Sequence, residues 1–249
     1  MPDLRTAFVT GAARGLARGI ALDLARHGYR VAFSYRTGGT APDATLAAIA
    51  AAGAGSGIAI AADHAVAGET ERSVRAAEAA LGTIDAFVHA VGPIVVRRFE
   101  RSTLADYRAM VAGNLESAVE AAFAVLPAMR TRRSGRLVFF GMNGSHVTLP
   151  ARGMSLYGAA KSAVVAFART LALEEAIHGI TVNVIEPGDI REKDIDRERA
   201  ATLIAKNPTG HPGSWEDIAY AVRFLVSGEA SFVNGQTIGV NGGLVEPYE

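Results

Sequence analysis

A tyrosine and a lysine four residues apart, Tyr157 and Lys161, lie in a segment with helical periodicity. That spacing places both side chains on one face of a helix, one turn apart. A phenol with a pKa of about 10 is a weak acid–base catalyst at neutral pH, but a nearby ammonium favours the phenolate and lowers that pKa. The pair could therefore exchange a proton with a substrate oxygen. The same spacing also arises by chance in many helices.

A glycine-rich turn follows the first strand-like segment of the chain, Ala7–Thr10. Glycine at a sharp strand-to-helix turn lets the backbone approach a pyrophosphate, and the N-terminus of the next helix favours its negative charge. The strand, the turn, an amphipathic helix and a second strand follow in the order expected of a dinucleotide site. The alternative is a purely structural turn. The predicted cofactor contacts here are Gly11, Arg14, Gly15 and Leu16.

The end of the second strand indicates which nucleotide is preferred. An NAD enzyme commonly has an acidic residue there, which binds the ribose hydroxyls. Here the strand ends in Ser34-Tyr35-Arg36 without an acidic residue. A guanidinium fork suits a phosphate dianion, so Arg36, with Arg14 as a second candidate, predicts NADP(H) in preference to NAD(H). In the alternative interpretation, Arg36 is one solvated loop arginine among many.

Short apolar segments flanked by glycine alternate with longer, alanine-rich segments of helical period. Seven strands that alternate with helices predict an α/β fold: a Rossmann-type, doubly wound, parallel seven-stranded sheet with helices on both faces. The predicted strands are Ala7–Thr10, Arg30–Ser34, Gly57–Ala61, Ala86–His89, Arg136–Phe140, Thr181–Ile185 and Thr237–Val240. The main predicted helices are Leu16–Arg26, Glu69–Leu81, Leu104–Met129, Ser155–Ile177 and Trp215–Val226.

Length and composition narrow the classes of function. The chain has 249 residues, 25 acidic and 25 basic side chains, and no cysteine. The charge balance favours a small-molecule partner over nucleic acid or a membrane. The lack of cysteine excludes disulfides, thiolate metal sites and a cysteine nucleophile, and no metal site is predicted. No signal peptide is recognised and no apolar run is judged long enough to span a bilayer, so a cytoplasmic location is expected.

One NADP(H)-binding domain, residues 1–249, is expected, because neither an internal repeat nor a linker divides the chain. The segment Asp189–Gly213 interrupts the alternation of strands and helices with charged residues, proline and glycine. It is interpreted as a small flap over the substrate site. The alternative is a solvated loop.

Several motifs in fixed order resemble the short-chain dehydrogenase/reductase family over essentially the whole chain, and most closely its 3-oxoacyl-acyl-carrier-protein reductase-like branch. No single motif is specific, but their combination is. They are Thr10-Gly11 to Gly15, Asp63, His89-Ala90-Val91-Gly92, Asn114, Tyr157 with Lys161, Pro187-Gly188, Glu216-Asp217-Ile218-Ala219, and Val233-Asn234-Gly235-Gln236 to Asn241-Gly242-Gly243.

The resemblance implies a role for each matching residue. Tyr157 would donate the proton, Lys161 would lower the pKa of the tyrosine and bind the ribose, and Asn114 would hold a water molecule of the proton relay. The implied cofactor contacts are Asp63 and its neighbour His64 near the adenine, Ala90 and Gly92 near its ribose, Tyr157, Lys161, and Pro187, Gly188 and Ile190 beside the nicotinamide. In the alternative interpretation, Asp63 caps a helix and Asn114 is a buried amide bonded to the backbone.

Two positions depart from the family pattern. A serine that binds the substrate carbonyl normally precedes the tyrosine by thirteen residues, where this chain has Gly144. Ser145 is the first candidate to replace it and Asn143 the second, because a hydroxyl and an amide can both donate to an oxyanion. The third alternative is that no side chain replaces it. Glu192 also stands where a threonine often binds the nicotinamide amide.

The resemblance implies an NADPH-dependent oxidoreductase that reduces a ketone or 3-oxoacyl-type carbonyl group to an alcohol. The departures at Gly144 and Glu192 leave open an NADP(H)-binding sensor or scaffold with weak or lost catalysis. No basic cluster stands out in the sequence as a docking site for an acidic carrier protein. The family is usually oligomeric, which implies a homotetramer or homodimer that pairs the helices holding Asn114 and Tyr157.

Overall fold

The computed structural model describes residues 5–53, 55 and 57–244. Seven parallel strands form one sheet in the order β3-β2-β1-β4-β5-β6-β7. The strands are β1 (Thr6–Val9), β2 (Arg30–Tyr35), β3 (Ile58–Ala61), β4 (Ala86–His89), β5 (Gly135–Phe140), β6 (Ile180–Pro187) and β7 (Thr237–Val240). The predicted Rossmann-type sheet is thereby confirmed. The strand order reverses between β1 and β4, and such a reversal opens a crevice at the carboxyl ends of the strands.

Eight α-helices connect or flank these strands in the described part of the chain. They are α1 (Gly15–Arg26), α2 (Thr40–Ala51), α3 (Glu69–Leu81), α4 (Leu104–Met110), α5 (Ser117–Arg132), α6 (Ser155–Glu175), α7 (Arg197–Ala201) and α8 (Trp215–Val226). The predicted helix Leu104–Met129 is present, but a π-helical turn, Val111–Glu116, separates α4 from α5. The sequence pattern did not reveal this turn, because one wide turn barely disturbs the apolar period.

The central strands are buried on both faces, as expected when helices cover a parallel sheet on each side. Val9 and Val88 belong to an apolar core that includes residues of α1 and α8. Phe8 and Phe87 belong to the core on the other face, together with residues of α3, α5 and α6. On the first face, α1 and α8 approach closely at Gly19, where an added Cβ would lie 2.5 Å from the Trp215 ring.

Two helical stretches, Leu104–Arg132 and Ser155–His178, are long and apolar enough to cross a membrane. The expectation that no run of such length exists is therefore wrong. Both stretches lie against the sheet, and Val125 of α5 and Val164 of α6 are buried in the same core as Phe139 of β5. Packing in the α/β core accounts for their apolar composition.

The segment Asp189–Gly213 forms a loop whose ends are tied together beside β6. The Gly213 backbone N–H donates to the Asp189 carbonyl at 3.0 Å, and the Trp215 N–H donates to the Ile195 carbonyl at 3.0 Å. Ile195 is buried, and the short helix α7 follows it. The first residues of this segment are thus held at the carboxyl edge of the sheet.

Candidate active site

The turn between β1 and α1 has the geometry of an anion site. Gly11 adopts φ +71°, and an added Cβ there would lie 2.7 Å from Val91 Cγ1, so only glycine fits where the turn meets the end of β4. Helix α1 begins after Arg14 without a side-chain cap and without an acidic residue in its first turn. Its first backbone N–H groups therefore remain available to an anion, and the residues of this turn fit a pyrophosphate.

Two cavities line the carboxyl edge of the sheet and share Val91, Gly92, Ile94 and Lys193, so they form one continuous groove. The first has a volume of about 320 Å³, and the predicted residues that line it are Leu16, Ala90, Gly92, Tyr157, Lys161, Pro187, Gly188 and Ile190. The second has a volume of about 520 Å³, and the predicted residues that line it are Gly11, Arg14, Arg36, Asp63, His64 and Gly92. Residues from distant parts of the chain thus meet along one groove.

The Tyr157–Lys161 pair lies on α6 and faces the first cavity. The Lys161 ammonium is buried and donates to the Phe140 carbonyl at the end of β5, over 2.9 Å. Its Nζ lies 5.8 Å from the centre of the Tyr157 ring. Burial, and secondarily the charge of Lys193, lowers the pKa of Lys161 to about 8. The ammonium is thus still protonated at neutral pH, and it is placed to stabilise a negative charge at this end of the groove.

Asn114 is buried in the π-helical turn, and the nitrogen and the oxygen of its side-chain amide have different surroundings. Its amide nitrogen donates to the carbonyls of Pro93 (3.1 Å) and Met110 (3.0 Å). Its Oδ1 has no hydrogen-bond partner among the described residues. A Cβ added at Gly92 would lie 2.3 Å from this oxygen and 3.2 Å from Lys161 Nζ. The amide nitrogen is thus bonded to the backbone, while the oxygen and the ammonium flank the same glycine.

Both candidates for the missing serine are bonded to groups outside the cavity. The Ser145 hydroxyl donates to Glu186 Oε1 over 2.6 Å. The Asn143 amide donates to the Leu244 carbonyl at 3.2 Å, and its oxygen accepts from Asn241 Nδ2 at 2.7 Å. Neither Ser145 nor Asn143 lines the cavity. The geometry therefore favours the third alternative, in which no side chain takes over the role of the serine.

A buried carboxylate, Glu186, determines the conformation of the loop after β5. Besides the Ser145 hydroxyl, it accepts from the Gly144 N–H (3.0 Å), the His146 N–H (2.8 Å) and His146 Nδ1 (2.7 Å). The Met142 N–H in turn donates to Ser145 Oγ at 3.0 Å. The side chain that lines the cavity directly beyond the strand is Met142. Met142 is the second residue after the end of β5. The sequence analysis instead counted thirteen residues back from Tyr157 on α6, and that count leads to Gly144.

A buried histidine, His64, lines the second cavity and is linked to the glycine turn through Ser34. His64 Nε2 lies 2.6 Å from Ser34 Oγ, and its Nδ1 lies 3.0 Å from Thr70 Oγ1. Ser34 Oγ also accepts the Gly11 N–H at 3.0 Å, so the serine links the histidine to the glycine turn. Burial lowers the pKa of His64 to about 4. The neighbouring Asp63 lines the groove and accepts from the Ala65 N–H within a turn. It does not cap a helix, because α3 begins at Glu69 after Gly68.

Lys193 is a groove residue that the sequence analysis did not single out. It lines both cavities, and a Cβ added at Gly15 would lie 3.1 Å from the Lys193 Cβ. Its neighbour Glu192 is exposed and lines neither cavity. The sequence feature that could have indicated Lys193 is the dense run of charged residues after β6. Such a run does not show which side chain of a loop points into a cavity. Together with Arg14 and Arg36, Lys193 makes this part of the groove cationic.

Comparison with known proteins agrees with this geometry. The family model described as enoyl-(acyl carrier protein) reductase matches residues 11–245. A 3-oxoacyl-[acyl-carrier-protein] reductase of Synechocystis is 33% identical over 97% of each chain. The chain belongs to the short-chain dehydrogenase/reductase family. Within that family it falls in the 3-oxoacyl-acyl-carrier-protein reductase-like branch, which confirms the resemblance seen in its motifs.

Solved structures of this family superpose on nearly the whole chain. A short-chain dehydrogenase/reductase from Serratia marcescens has a TM-score of 0.86 at 28% identity and covers 98% of this chain and 100% of its own. A blue fluorescent protein from a metagenomic library, in complex with NADPH, has a TM-score of 0.84 at 30% identity and covers 96% of this chain and 97% of its own. The short-chain dehydrogenase/reductase fold thus spans the described residues from β1 to β7.

We predict that replacing His64 with glutamine reduces the pH dependence of stability between about pH 6.5 and pH 4. In the wild type the pKa is lowered from 6.5 to about 4 on folding, so the unfolded chain binds more protons in this window. Stability therefore falls as the pH falls, by up to about 3 kcal/mol across the window. Urea unfolding at several pH values would measure the slope. The exposed His27→Gln change is the control, and an unchanged slope in His64→Gln would contradict the prediction.

Proposed function

We propose that this chain is an NADPH-dependent reductase that converts a carbonyl group, of a ketone or a 3-oxoacyl compound, to an alcohol. Membership of an oxidoreductase family supports the reaction type. The observation that carries the proposal is the pairing of Tyr157 with the buried Lys161 ammonium in a groove that also holds the glycine turn after β1. A structural role alone would not require an ammonium at this position, because burying a charge is costly.

In this reaction, residues of the chain donate the proton to the substrate and return a proton to the site. The bound nicotinamide supplies the hydride that reaches the carbonyl carbon. Tyr157 gives its hydroxyl proton to the carbonyl oxygen, and the C=O bond becomes an alcohol C–O bond. The Lys161 charge stabilises the phenolate that remains. The unpaired Oδ1 of Asn114 accepts a hydrogen bond from a water molecule, through which a solvent proton returns to the site.

In this proposal the carbonyl oxygen has one side-chain donor, the Tyr157 hydroxyl. Ser145 acts as a positioning residue through Glu186 and does not contact the substrate. The apolar side chains of Ile94, Met142 and Met154 form one part of the cavity wall, and the charged side chains of Asp189 and Lys193 line another part. The loss of one oxyanion donor elsewhere costs on the order of a hundredfold in rate, so we expect modest turnover.

The cofactor preference is assigned to the cations at the adenosine end of the groove. Arg14 and Arg36 line that cavity together with Tyr35 and Asp63. An arginine fork can hold the 2′-phosphate that distinguishes NADP(H), and the described part of this cavity has no acid at the end of β2 to bind a ribose diol. Lys193, beside Gly15, is placed to neutralise the pyrophosphate.

A second candidate function is an NADP(H)-binding sensor or scaffold with weak catalysis. It is favoured by the bonding of Ser145 to Glu186 and of Asn143 to Asn241, which withdraws both alternative donors from the substrate. Against it stands the buried Lys161, because the ammonium has no evident task in a protein that only binds the cofactor. Turnover that depends on Tyr157 separates the two functions.

We further propose that the protein is a cytoplasmic homodimer or homotetramer. Phe123 of α5 and Leu173 of α6 are each almost four-fifths exposed, and Ile177 just beyond α6 is exposed as well. Large apolar side chains grouped on neighbouring helices are typical of a surface that is covered by a partner. A second copy of the chain would cover them and pair these helices across a two-fold axis.

We expect Tyr157→Phe to lower kcat for carbonyl reduction by about a hundredfold or more, because the proton donor is lost. NADPH binding should change little, since the ring remains. The decrease in NADPH absorbance with a panel of ketones and 3-oxoacyl thioesters measures turnover, and NADPH fluorescence measures binding. The control is Tyr107→Phe on α4, which leaves the groove intact. Unchanged turnover in Tyr157→Phe would overturn the mechanism, and tight NADPH binding without any turnover would favour the sensor.

We expect Arg36→Gln to weaken NADPH binding by about ten- to a hundredfold, because a charge-assisted interaction with a phosphate is lost. NADH binding should stay within about twofold of the wild type, since it has no 2′-phosphate to lose. Titration of both nucleotides by fluorescence gives the two Kd values. Arg75→Gln, an exposed arginine of α3 paired with Glu71, is the matched control. Equal losses for both nucleotides would refute the assignment of Arg36.

Sedimentation equilibrium at micromolar concentration should give two or four times the chain mass of 25.9 kDa. The double change Phe123→Glu/Leu173→Glu should shift this mass toward that of a monomer, because two charges cannot be buried unpaired in an apolar interface. Glutamate at the exposed Ile204, which is outside α5 and α6, serves as the control. A wild-type mass of 25.9 kDa would exclude the oligomer.

A further inference from the structure

A third cavity, separate from the cofactor groove, lies at the side of the proposed substrate site. It has a volume of about 540 Å³, and the side chains that line it include four arginines and one carboxylate, that of Glu100. Three come from the segment after β4 and one from the loop before α6, more than fifty residues later. We define the arginine pocket as Arg97, Arg98, Arg101 and Arg152. The sequence analysis found no basic cluster because only the fold brings Arg152 to the other three.

The charge of this pocket is only partly neutralised. Arg97 forms an ion pair with Asp106 at 2.9 Å, and Arg101 lies 4.0 Å from Glu100, with both side chains largely exposed. For Arg98 and Arg152, the described residues provide no ion pair and no side-chain hydrogen bond. Two guanidinium groups thus face a concave surface with their donors available, in a chain whose net charge is zero. Such an arrangement suits a carboxylate or a phosphate group.

The two segments that form the arginine pocket also form a wall of the catalytic cavity. Ile94 and Met154 line the catalytic cavity, whereas Val96 and Gly153 line the arginine pocket. The Arg97 N–H donates to the Gly153 carbonyl at 2.7 Å and joins the two segments. An extended chain advances about 3.3 Å per residue, so the pocket begins roughly 7 Å beyond the cavity wall. The arginine pocket and the catalytic cavity are therefore neighbours that the same two segments form.

We propose that the substrate is an anionic carbonyl compound, whose carboxylate or phosphate group is bound by Arg98 and Arg152 while its carbonyl lies at Tyr157. This inference rests on the proposed reductase function and adds the substrate class. The carbonyl and the anionic group are separated by a flexible linker of at least roughly 7 Å, because the pocket begins about two residue lengths beyond the cavity wall. The apolar side chains between the two polar ends contact this linker.

The test uses one ketone chain with three ends: a carboxylate, a phosphate monoester and a neutral methyl ester, as in 7-oxooctanoate and its analogues. Ligand-observed NMR titration measures Kd in the millimolar range, with and without NADP⁺, so the readout does not depend on turnover. The wild type should bind at least one of the anions about tenfold more tightly than the ester. The comparison of carboxylate with phosphate shows which anion the pocket prefers.

In the double variant Arg98→Gln/Arg152→Gln, the preference for the anion should be lost, while the Kd of the ester stays within about twofold. Arg75→Gln, outside the pocket, should retain the preference. Kinetics adds a second readout: the double variant should raise KM for the anions and leave kcat largely unchanged, because the arginines do not touch the reacting group.

Equal affinity for anions and ester, or an unchanged preference in the double variant, would overturn the inference. Arginine-dependent binding of an intact acidic carrier protein, without any preference among the small ketones, would overturn it in favour of protein docking. A different result would contradict the proposed function alone. If the anions bind through the arginines but no carbonyl is reduced, the anion site is supported and the reductase mechanism is wrong.

Discussion

The buried ammonium of Lys161 is the constraint on which the site is built. A charge inside a protein must be compensated by nearby dipoles, and the structure provides the Phe140 carbonyl at the end of β5. Gly92 must be a glycine, because a Cβ there would collide with Asn114 Oδ1 and crowd the ammonium. The ends of β4 and β5, the π-helical turn and α6 are thus held in one arrangement around a single cation.

Two effects lower the pKa of this lysine to about 8: burial, which is the larger, and the positive charge of Lys193. Both disfavour the protonated form, so a negative charge nearby would favour it. In the proposed reaction, the phenolate of Tyr157 and the phosphate groups of a cofactor near Lys193 would be such charges.

A second buried charge, Glu186, has the opposite role, because its hydrogen bonds are all supplied by the protein. Ser145 and the backbone of the loop after β5 satisfy the carboxylate, so the loop is fixed and its polar groups are turned away from the cavity. Met142 is then the side chain that lines the cavity directly after β5. The loop thus presents an apolar side chain there, while its hydroxyl is bonded to Glu186.

The fold, and the position of Tyr157 and Lys161 on one helix face, could be predicted from the sequence because both depend on regular periods. Strand–helix alternation gives the parallel sheet, and the four-residue spacing of Tyr157 and Lys161 is fixed by the helix. The loop residues could not be assigned in the same way. The hydroxyl of Ser145 is adjacent in sequence to the expected position, but its direction depends on Glu186, 41 residues later. Lys193 and the arginine pocket likewise depend on tertiary contacts.

An apolar wall and a single donor hold a small ketone only loosely, because one hydrogen bond does not fix the orientation of a carbonyl group. Reaction rate depends strongly on that orientation. Binding energy from a remote part of the substrate can supply it, provided that the remote contact is rigidly connected to the reacting site. The Arg97–Gly153 backbone hydrogen bond makes such a connection, since it joins the wall of the catalytic cavity to the arginine pocket. If the substrate is the proposed anionic carbonyl compound, the arginine pocket would thus provide, at the other end of the molecule, the orientation that a serine would provide at the carbonyl.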